Sequence, residues 1–459
     1  MTKRIAIIGG GIAGVTAAYE FARSSASVEA TLFEASPRLG GIVETIREGG
    51  FIIEGGPDGW VTEKPWAAAL ARQLGLEDEL LASNDATRKT YILSGGKLEA
   101  MPDGMRMMVP TDLAALEASN LFSAAAKQAY RDEPARAAEL KATAPTEDES
   151  VASFVRRHFG DEVLRTVGAP LLSGVFGGDV ETLSVRAVMA PFVAMEREHG
   201  SLIAALQSRA ATQSAPIFTT LRSGVATLID RMVAAIPPHW IRLGATVTAI
   251  ERDGSGWNIR TTARGVEFFD ELLMAAPVDA ARALLTPIDP AAAALMEMDA
   301  SSAVVAAFGF PAIVDSDVNV PPGFGFLAPE GSGSRLLACT FVDQKFDHRV
   351  PLGGRLIRAF FGGTTAERLT NCGNDEIAAI ARLELARILG PLPDAQITVV
   401  RRWPRSLPQY AVGHLERMAE LNQRLAKLPG LQLLGNGYRG VGLPDLVRDA
   451  IAAAQQAAM

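Results

Sequence analysis

A glycine-rich turn near the N-terminus constrains the fold of this 459-residue chain more than any other feature. Residues 4–8 form a short apolar run typical of a buried strand, and residues 15–23 have the spacing of a helix. Between them, Gly9, Gly11 and Gly14 form a GxGxxG pattern. The first glycine allows a tight turn, the second lets the backbone approach a pyrophosphate, and the third lets the helix pack closely against the strand. The pattern predicts a dinucleotide-binding βαβ unit.

An acidic residue completes this fingerprint. Residues 28–34 are predicted to form the second strand, and Glu34 lies 20 residues after Gly14. A carboxylate in this position accepts hydrogen bonds from ribose hydroxyls, while the N-terminus of the helix faces the phosphates. A glycine-rich loop in another α/β fold is the alternative, but strand, helix and acid are all in register. The cofactor-binding residues predicted from the fingerprint are Gly9, Gly11, Ile12, Ala13, Gly14, Glu34 and Ala35.

A second motif, Arg38-Leu39-Gly40-Gly41, follows directly. A cation at Arg38 can sit against the second phosphate of a dinucleotide, and the two glycines let the chain pass beneath a flavin. The motif therefore favours FAD over NAD as the cofactor. The alternative is a surface turn with a solvated arginine, which is the commoner environment of arginine in general.

A third glycine-rich segment, residues 435–442, lies near the C-terminus and precedes a predicted helix that begins at about Asp445. Three of its glycines also form GxGxxG, but too little chain follows for a second strand and acidic residue. A second dinucleotide site is therefore not expected. Pro444 and Asp445 suit the first turn of a helix, and the positive end of that helix suits the electron-rich edge of a reduced flavin.

Composition excludes several classes of function. The net charge of −8 argues against a nucleic-acid-binding protein, which normally has a basic face. The two cysteines, Cys339 and Cys372, are far apart, which argues for a reducing compartment and against a zinc site. The apolar run of residues 5–8 is too short for a signal peptide, and no stretch reaches the ~18 apolar residues of a membrane span. We expect a cytoplasmic protein without a metal.

The remaining chain predicts an α/β (α+β) protein of interleaved domains. An amphipathic helix is expected at 66–81, a hairpin with its turn at Gly95-Gly96, and a mostly helical block from about 110 to 213. Strands are expected at 239–250, 256–262, 271–277, 398–403 and 431–434, and helices at 375–389 and 445–458. The predicted FAD-binding domain comprises residues 1–87, 212–285 and 400–459, the mixed-sheet substrate domain 88–109 and 286–399, and the helical subdomain 110–211.

Several longer motifs carry a resemblance that spans essentially the whole chain. They are Gly55-Gly56-Pro57-Asp58-Gly59, residues 170–179 (PLLSGVFGGD), residues 323–327 (GFGFL), residues 360–363 (FFGG), residues 407–410 (LPQY), residues 413–416 (GHLE) and residues 435–445 (GNGYRGVGLPD). With the Arg38 motif, they resemble the oxygen-dependent protoporphyrinogen oxidase family of the flavin amine oxidase superfamily. The C-terminal motif does not resemble the amine oxidase ending, which carries a cysteine or an aromatic cage.

The resemblance implies an enzyme of haem synthesis that holds FAD non-covalently and oxidises protoporphyrinogen IX to protoporphyrin IX. Six hydrogens leave the macrocycle, so the flavin turns over three times and dioxygen restores it each time. Coproporphyrinogen III oxidation is the alternative, and another flavin oxidase of the superfamily is a more distant one. A non-enzymatic binding protein of the same fold, like the prenyl-protein escort proteins, would purify colourless.

The resemblance also assigns roles to individual residues. The backbone of Gly174 is expected to face the macrocycle near the reacting carbon, with Leu327 packing on one pyrrole and Phe361 stacking on another. An arginine that pairs a propionate in many members is replaced here by Thr90, so Arg88 and Lys89 are the candidates to substitute for it. Further substrate-binding and cofactor-binding residues implied by the resemblance are Thr340, Arg38, Gly40, Gly41, Gly56, Pro57, Asp58, Val247, Trp403, Gly435, Asn436, Gly442, Leu443 and Pro444.

The helical block resembles the membrane-docking domain of that family. Apolar residues between Met101 and Phe122 predict a shallow contact with a membrane surface, and ordinary core packing is the equally weighted alternative. Contact with the inner face of the cytoplasmic membrane and homodimer formation are both left open by the sequence.

Overall fold

A computed structural model describes residues 2–209, 216–262, 265–312 and 320–459. The predicted boundary between residues 211 and 212 lies outside these residues. The strands are β1 (Lys3–Ile8), β2 (Val28–Phe33), β3 (Thr45–Glu48), β4 (Phe51–Glu54), β5 (Trp60–Val61), β6 (Leu80–Ala82), β7 (Thr90–Ser94), β8 (Lys97–Ala100), β9 (Met105–Arg106), β10 (Val109–Pro110), β11 (Phe218–Leu221), β12 (Ile241–Arg242), β13 (Val247–Asp253), β14 (Gly256–Thr261), β15 (Val266–Phe269), β16 (Glu271–Met274), β17 (Ala300–Phe310), β18 (Gly325–Leu327), β19 (Ala338–Phe341), β20 (Arg355–Phe361), β21 (Ile397–Pro408) and β22 (Leu431–Leu433).

The α-helices are α1 (Ile12–Arg23), α2 (Trp66–Gln73), α3 (Leu113–Ala118), α4 (Ala124–Asp132), α5 (Ala137–Thr143), α6 (Val151–Phe159), α7 (Asp161–Val163), α8 (Ala169–Phe176), α9 (Val185–Val188), α10 (Ala190–His199), α11 (Leu202–Arg209), α12 (Ala226–Ala235), α13 (Val278–Leu285), α14 (Pro290–Leu295), α15 (Val342–Lys345), α16 (Gly363–Leu369), α17 (Asn374–Leu389), α18 (His414–Leu425) and α19 (Leu443–Ala458). The chain is therefore a mixed α/β protein, as the sequence predicts.

Five parallel strands form the nucleotide-binding sheet in the order β12-β2-β1-β16-β22. They come from the N-terminal, central and C-terminal parts of the chain, as expected. Helices α1, α12 and α19 bury one face of this sheet, and the β13-β14-β15 meander packs with α13, α14 and α18 on the other. Because β1 and β16 are neighbours, the turns that follow them meet at the carboxyl edge of the sheet, where ligands bind in this class of fold.

A second, seven-stranded sheet has the order β21-β17-β20-β19-β18-β7-β8. The predicted hairpin at Gly95-Gly96 is confirmed as β7 and β8. One face of the sheet is covered by α16 and α17. The predicted domain boundary before residue 400 is wrong, because it falls inside β21, which pairs with β17 from Ile397 to Pro408. Residues 400–408 therefore belong to this sheet.

The helical block comprises α3 to α11 and has its own apolar core. Met108, Val109, Leu116, Leu121 and Phe122 are buried in that core. Internal packing therefore accounts for the apolar pattern that suggested membrane contact, and a membrane role for the block stays a prediction. Among the described residues, no helix combines the length and apolar character needed to span a bilayer.

Two predicted elements are wrong in their extent. The helix expected at 66–81 ends at Gln73, because Leu74-Gly75 turns the chain with Gly75 at φ +71°. Leu80 and Leu81 belong to β6, the edge strand of a small sheet of order β5-β11-β6. The strand expected at 239–250 is interrupted after Arg242 by a turn with Gly244 at φ +64°, so β12 and β13 enter different sheets. Both breaks occur where tertiary strand pairing overrides the local apolar pattern.

A histidine is completely buried in the helical block between two carboxylates. The Nδ1 atom of His158 lies 3.0 Å from Glu133, and its Nε2 atom lies 3.1 Å from Glu196. Glu196 also pairs with Arg157 at 2.7 Å, and Arg157 pairs with Glu149. Burial alone would lower the pKa of His158, but hydrogen bonds to both glutamates outweigh it and raise the pKa above its ordinary value. His158 therefore links Glu133, which directly follows α4, to Glu196 of α10 across α6.

We expect the thermal stability of the protein to fall as the pH rises through this raised pKa. A raised folded-state pKa contributes stability that is complete below the unfolded value of about 6.5 and is lost above the folded value. Melting curves at pH 6 and pH 9 should show a larger loss for the native chain than for His158→Gln, which keeps a polar side chain but cannot titrate. Equal pH dependence in both proteins would show that His158 is neutral in the fold.

Candidate flavin and substrate site

The three glycines of the N-terminal fingerprint have the three environments that their predicted roles require. Gly9 has φ +108°, and an added Cβ there would lie 2.5 Å from the Ala275 carbonyl oxygen. A Cβ on Gly14 would lie 1.9 Å from the Gly9 carbonyl oxygen, so only glycine allows α1 to pack this closely. A Cβ on Gly11 would meet nothing within 4 Å. The open space in front of Gly11 is the cradle that a pyrophosphate would fill.

No side chain caps the N-terminus of α1. Gly11 is the residue that precedes the helix. Ile12 and Ala13 begin its first turn, where backbone N–H groups have no partner within the helix. Such a terminus combines unpaired donors with the positive end of the helix dipole, which suits a phosphate.

The Glu34 carboxylate lies beside this cradle at the end of β2. It accepts hydrogen bonds from the backbone N–H of Gly10 at 2.6 Å and of Ser36 at 2.7 Å, which fixes its orientation. Ala35 is exposed at the same edge. The chain entering β13 runs alongside, because the Ala245 N–H donates to the Glu34 carbonyl at 2.9 Å. Val247 begins that strand, which places it at the predicted adenosine end.

The guanidinium of Arg38 is mainly occupied by its own loop. It donates to the carbonyl oxygens of Leu39 at 3.2 Å, Val43 at 3.3 Å and Gly41. Gly40 and Gly41 both have positive φ, and the loop lies against the fingerprint through the Gly40 N–H, which donates to the Gly10 carbonyl at 2.8 Å. Arg38 therefore shapes the turn, and its predicted phosphate contact stays a prediction.

The segment Gly55–Asp58 joins the nucleotide-binding unit to the seven-stranded sheet. A Cβ on Gly56 would lie 1.9 Å from the Ile42 carbonyl oxygen, so the two segments touch through backbone. The Trp403 indole N–H donates to the Gly55 carbonyl at 2.8 Å. Trp403 thereby holds the middle of β21 against the segment that includes Gly56 and Pro57.

A buried cluster of charges lies at this junction. The Asp58 carboxylate accepts from Lys345 at 3.0 Å and lies 3.5 Å from Arg358, which also donates to the Gly56 carbonyl. Burial alone would raise the pKa of Asp58, but Lys345 and Arg358 lower it below its ordinary value. Burial lowers the pKa of Arg358, whose Nε has no hydrogen-bond partner. The junction thus places the buried Arg358 guanidinium beside Gly56, with Lys345 half-buried on the far side of Asp58. Sequence reasoning missed this cluster, although an arginine inside the apolar run of β20 was a signal.

The C-terminal loop brings the third glycine-rich segment to the same edge of the nucleotide-binding sheet. Gly435 has φ +125°, and an added Cβ there would approach only the Ala276 carbonyl oxygen, at 4.0 Å. Asn436 donates through its side chain to the Ser406 carbonyl at 2.8 Å. Gly442 precedes α19 without a side-chain cap, and Leu443 and Pro444 form the first turn. The N-terminus of α19 is therefore a second helix terminus without a side-chain cap, and α19 packs beside α1 on the same face of the sheet.

The register of the seven-stranded sheet decides which side chains face the helical block. Residues that pair across neighbouring strands share a face, and alternate residues of a strand take opposite faces. Leu327 pairs with Ile92, and Ile92 is part of the helical core, so at β7 and β18 this face is turned toward the helices. On β17, β20 and β21 the same face packs against β4. The pairing also places on this face Thr90, Thr340, Ala338, Phe360, Arg358 and Trp403.

Gly174 comes close to Leu327, as predicted. A Cβ on Gly174 would lie 3.5 Å from the Leu327 Cδ2 atom, and Gly174 itself is exposed at the end of α8. Thr340 and Thr90 line the same face and are partly exposed. Arg88 is ion-paired with Asp85 at 3.3 Å. Arg88 and Lys89 lie in an exposed loop that leads directly into β7 at Thr90.

The prediction that Phe361 stacks on the substrate is wrong. Phe361 is 1% exposed and lies in the core between the sheet and α17. The preceding residue, Phe360, takes the opposite face and is partly exposed there, with its ring 4.9 Å from the Arg358 guanidinium carbon. Alternate residues of a strand take opposite faces, but a local pattern does not tell which of two adjacent phenylalanines faces a cavity.

These features together fit a bound FAD. Gly11 supplies the space for the pyrophosphate, Glu34 an oriented carboxylate for the ribose, and two uncapped helix termini the positive ends. Leu327 lies beside Gly174, and Thr340 and Phe360 share its face of the sheet. The arrangement can therefore hold a dinucleotide and a flat or folded apolar molecule beside each other, with no acid–base pair required among the residues that line it.

Comparison with known proteins agrees with this geometry. The profile of the family described as flavin containing amine oxidoreductase matches residues 12–458. The coproporphyrinogen III oxidase of Bacillus subtilis (strain 168) is 33% identical over 99% of this chain and 98% of its own. The chloroplastic protoporphyrinogen oxidase of Nicotiana tabacum is 27% identical over 98% of this chain and 84% of its own.

Solved structures are also similar over the full length of the chain. A protein from Exiguobacterium sp. 255-15, provisionally named a protoporphyrinogen oxidase, superimposes with a TM-score of 0.87 at 30% identity, covering 100% of this chain and 99% of its own.

Proposed function

Because the chain belongs to the flavin containing amine oxidoreductase family, we propose that this FAD-dependent oxidoreductase oxidises coproporphyrinogen III to coproporphyrin III. The observation that carries the proposal is the 33% identity to the Bacillus subtilis relative over almost the whole of both chains. The relative named for protoporphyrinogen is more distant, at 27%. The sequence resemblance predicts protoporphyrinogen IX as the substrate, with coproporphyrinogen III as the alternative. The comparisons support the alternative better.

Thr90 also supports coproporphyrinogen III as the substrate. It occupies the open face of the seven-stranded sheet, where the resemblance places an arginine for a propionate in protoporphyrinogen oxidases. A hydroxyl there offers no fixed cation. The basic groups nearest in sequence, Arg88 and Lys89, lie in the exposed loop at the edge of this face. We propose that they bind propionates at the outer edge of the substrate site. Coproporphyrinogen III carries four propionates and protoporphyrinogen IX carries two, so coproporphyrinogen III offers more groups for this contact.

The chemistry fits residues that orient and exclude water. Bound FAD supplies a two-electron acceptor, and three turnovers remove the six hydrogens that separate a porphyrinogen from a porphyrin. The wall of Leu327 and Phe360 would hold the apolar macrocycle against the backbone of Gly174, with water displaced from the reacting edge. Each turnover passes two electrons and two protons to dioxygen, which leaves as hydrogen peroxide. Dioxygen, like the porphyrinogen, is a proposed partner of this chain.

Turnover of the two porphyrinogens tests the proposal. We expect kcat/KM for coproporphyrinogen III to exceed that for protoporphyrinogen IX by on the order of tenfold, because binding of the extra propionates distinguishes them. Porphyrin fluorescence measures product, and protein freed of FAD measures the spontaneous oxidation. A preference for protoporphyrinogen IX would favour the second candidate, which the Exiguobacterium structure supports by its name.

A further inference from the structure

The Tyr410 hydroxyl connects two points of the C-terminal glycine loop. It donates to the Asn436 carbonyl oxygen at 2.7 Å and accepts from the Gly440 N–H at 3.0 Å. Burial raises the pKa of Tyr410, so the hydroxyl remains a donor over the physiological range. Gly435 and Gly440 both have positive φ, so this loop depends on contacts from outside itself for its shape.

A histidine supports the tyrosine from behind. The His414 ring stacks on the Tyr410 ring with centroids 3.9 Å apart and an angle of 10° between the planes. Its Nε2 atom lies 3.2 Å from the Tyr438 carbonyl oxygen, which can only accept, so Nε2 carries the hydrogen. Burial lowers the pKa of His414 to about 4, and the ring therefore stays neutral. The stacked side chains of Tyr410 and His414 thus bind three backbone groups of the loop. These are the carbonyls of Asn436 and Tyr438 and the N–H of Gly440.

The same segment is attached to the helix that presents Gly174. Gln409 donates through Nε2 to the Phe176 carbonyl oxygen at 2.9 Å, at the last residue of α8. The Ser184 N–H donates to the Tyr410 carbonyl at 2.7 Å, and Ala411 forms a β-bridge with Leu183. One short stretch of chain therefore holds both the glycine loop and the end of α8.

We propose that Tyr410 is a positioning residue that shapes the loop 435–440 for the flavin and sets its distance from the substrate-facing end of α8. The inference rests on the FAD site and is independent of which porphyrinogen is oxidised. Tyr410 acts through backbone groups of the loop and contacts neither reacting molecule. Its hydroxyl matters because Asn436 and Gly440 are partly buried, and their backbone groups lose their partners when it is removed.

The matched test compares two buried tyrosines whose hydroxyls both donate to a backbone carbonyl. Tyr410→Phe removes the hydroxyl that clamps the loop, whereas Tyr130→Phe removes a hydroxyl that donates to the Met108 carbonyl at 2.8 Å in the core of the helical block. The release of FAD from each holoenzyme after dilution, followed by flavin fluorescence, gives a dissociation rate. We expect Tyr410→Phe to release FAD on the order of tenfold faster than the native protein, and Tyr130→Phe to match the native rate.

Two further measurements separate positioning from general packing. We expect Tyr410→Phe to lower kcat with KM nearly unchanged, and to alter the visible circular dichroism of the bound flavin. The apoprotein should melt within about two degrees of the native apoprotein, because the loop is shaped for the cofactor. Equal FAD release by the two variants, or a melting temperature that falls equally with and without FAD, would overturn the proposal whether or not the enzyme prefers coproporphyrinogen.

Discussion

Gly14→Ala is expected to abolish FAD binding by disrupting the fold of the N-terminal unit. The added Cβ would lie 1.9 Å from the Gly9 carbonyl oxygen, and both groups belong to rigid backbone between β1 and α1. Helix and strand must move apart, at a cost of about 3 kcal/mol or more in the free energy of unfolding. Thermal melting of the apoprotein measures that loss directly, without any contribution from the cofactor.

Gly11→Ala is the matched control, because its added Cβ meets nothing within 4 Å and its backbone at φ −68° suits alanine. We expect the apoprotein to melt like the native one while FAD affinity falls at least tenfold, about 1.4 kcal/mol, since the methyl group enters the pyrophosphate cradle. Retention of a full complement of FAD by Gly11→Ala would show that the pyrophosphate lies elsewhere.

Phe360→Ala is expected to raise KM for the porphyrinogen about tenfold while FAD content stays normal. Phe360 lies on the face shared by Leu327 and Thr340, so its ring is available to stack against a pyrrole, an interaction of about 1 kcal/mol beyond simple burial. Steady-state kinetics on the purified holoenzyme measures the change. Its effect on stability should be small, because the ring is partly exposed.

Phe361→Ala serves as the opposite case. Its ring lies in the core against α17, so truncation should lower the free energy of unfolding by about 3–5 kcal/mol. The folded fraction should keep a native KM. If KM instead follows Phe361 and is indifferent to Phe360, the macrocycle does not lie on the face turned toward the helical block, and the proposed cavity is wrong.

Phe360 also covers Arg358, a buried charged residue of the same strand. Its guanidinium is buried beneath the Phe360 ring and bonds to Asp58 and the Gly56 carbonyl. A charge is tolerated in such a place only when it is paired and hydrogen-bonded. The substrate wall and the segment predicted to hold the flavin are therefore joined through one side chain.

The parts of the site that depend on residues close together in the chain can be predicted from the sequence alone. Gly9 needs positive φ and Gly14 needs close approach of α1 to β1, and these demands involve neighbouring stretches of chain. The position of Glu34 follows from the combined lengths of β1, α1 and β2, which bring an acidic residue to the end of β2. The hairpin at Gly95-Gly96 depends on a turn of two residues. Such features can be read directly because few alternatives satisfy the local geometry.

Tertiary structure decided the features that depend on pairing between distant segments. The face taken by Phe360 follows from the register of β20 with β17 and β19, and a shift of one residue would reverse it. The assignment of residues 400–408 to the substrate sheet follows from β17 as well. The apolar residues near Met108 and Phe122 suited either a membrane or a core, and packing against the other helices placed them in the core. The physical reason is common to all three: hydrophobicity says that a side chain is buried, but the partner that buries it comes from a remote part of the chain.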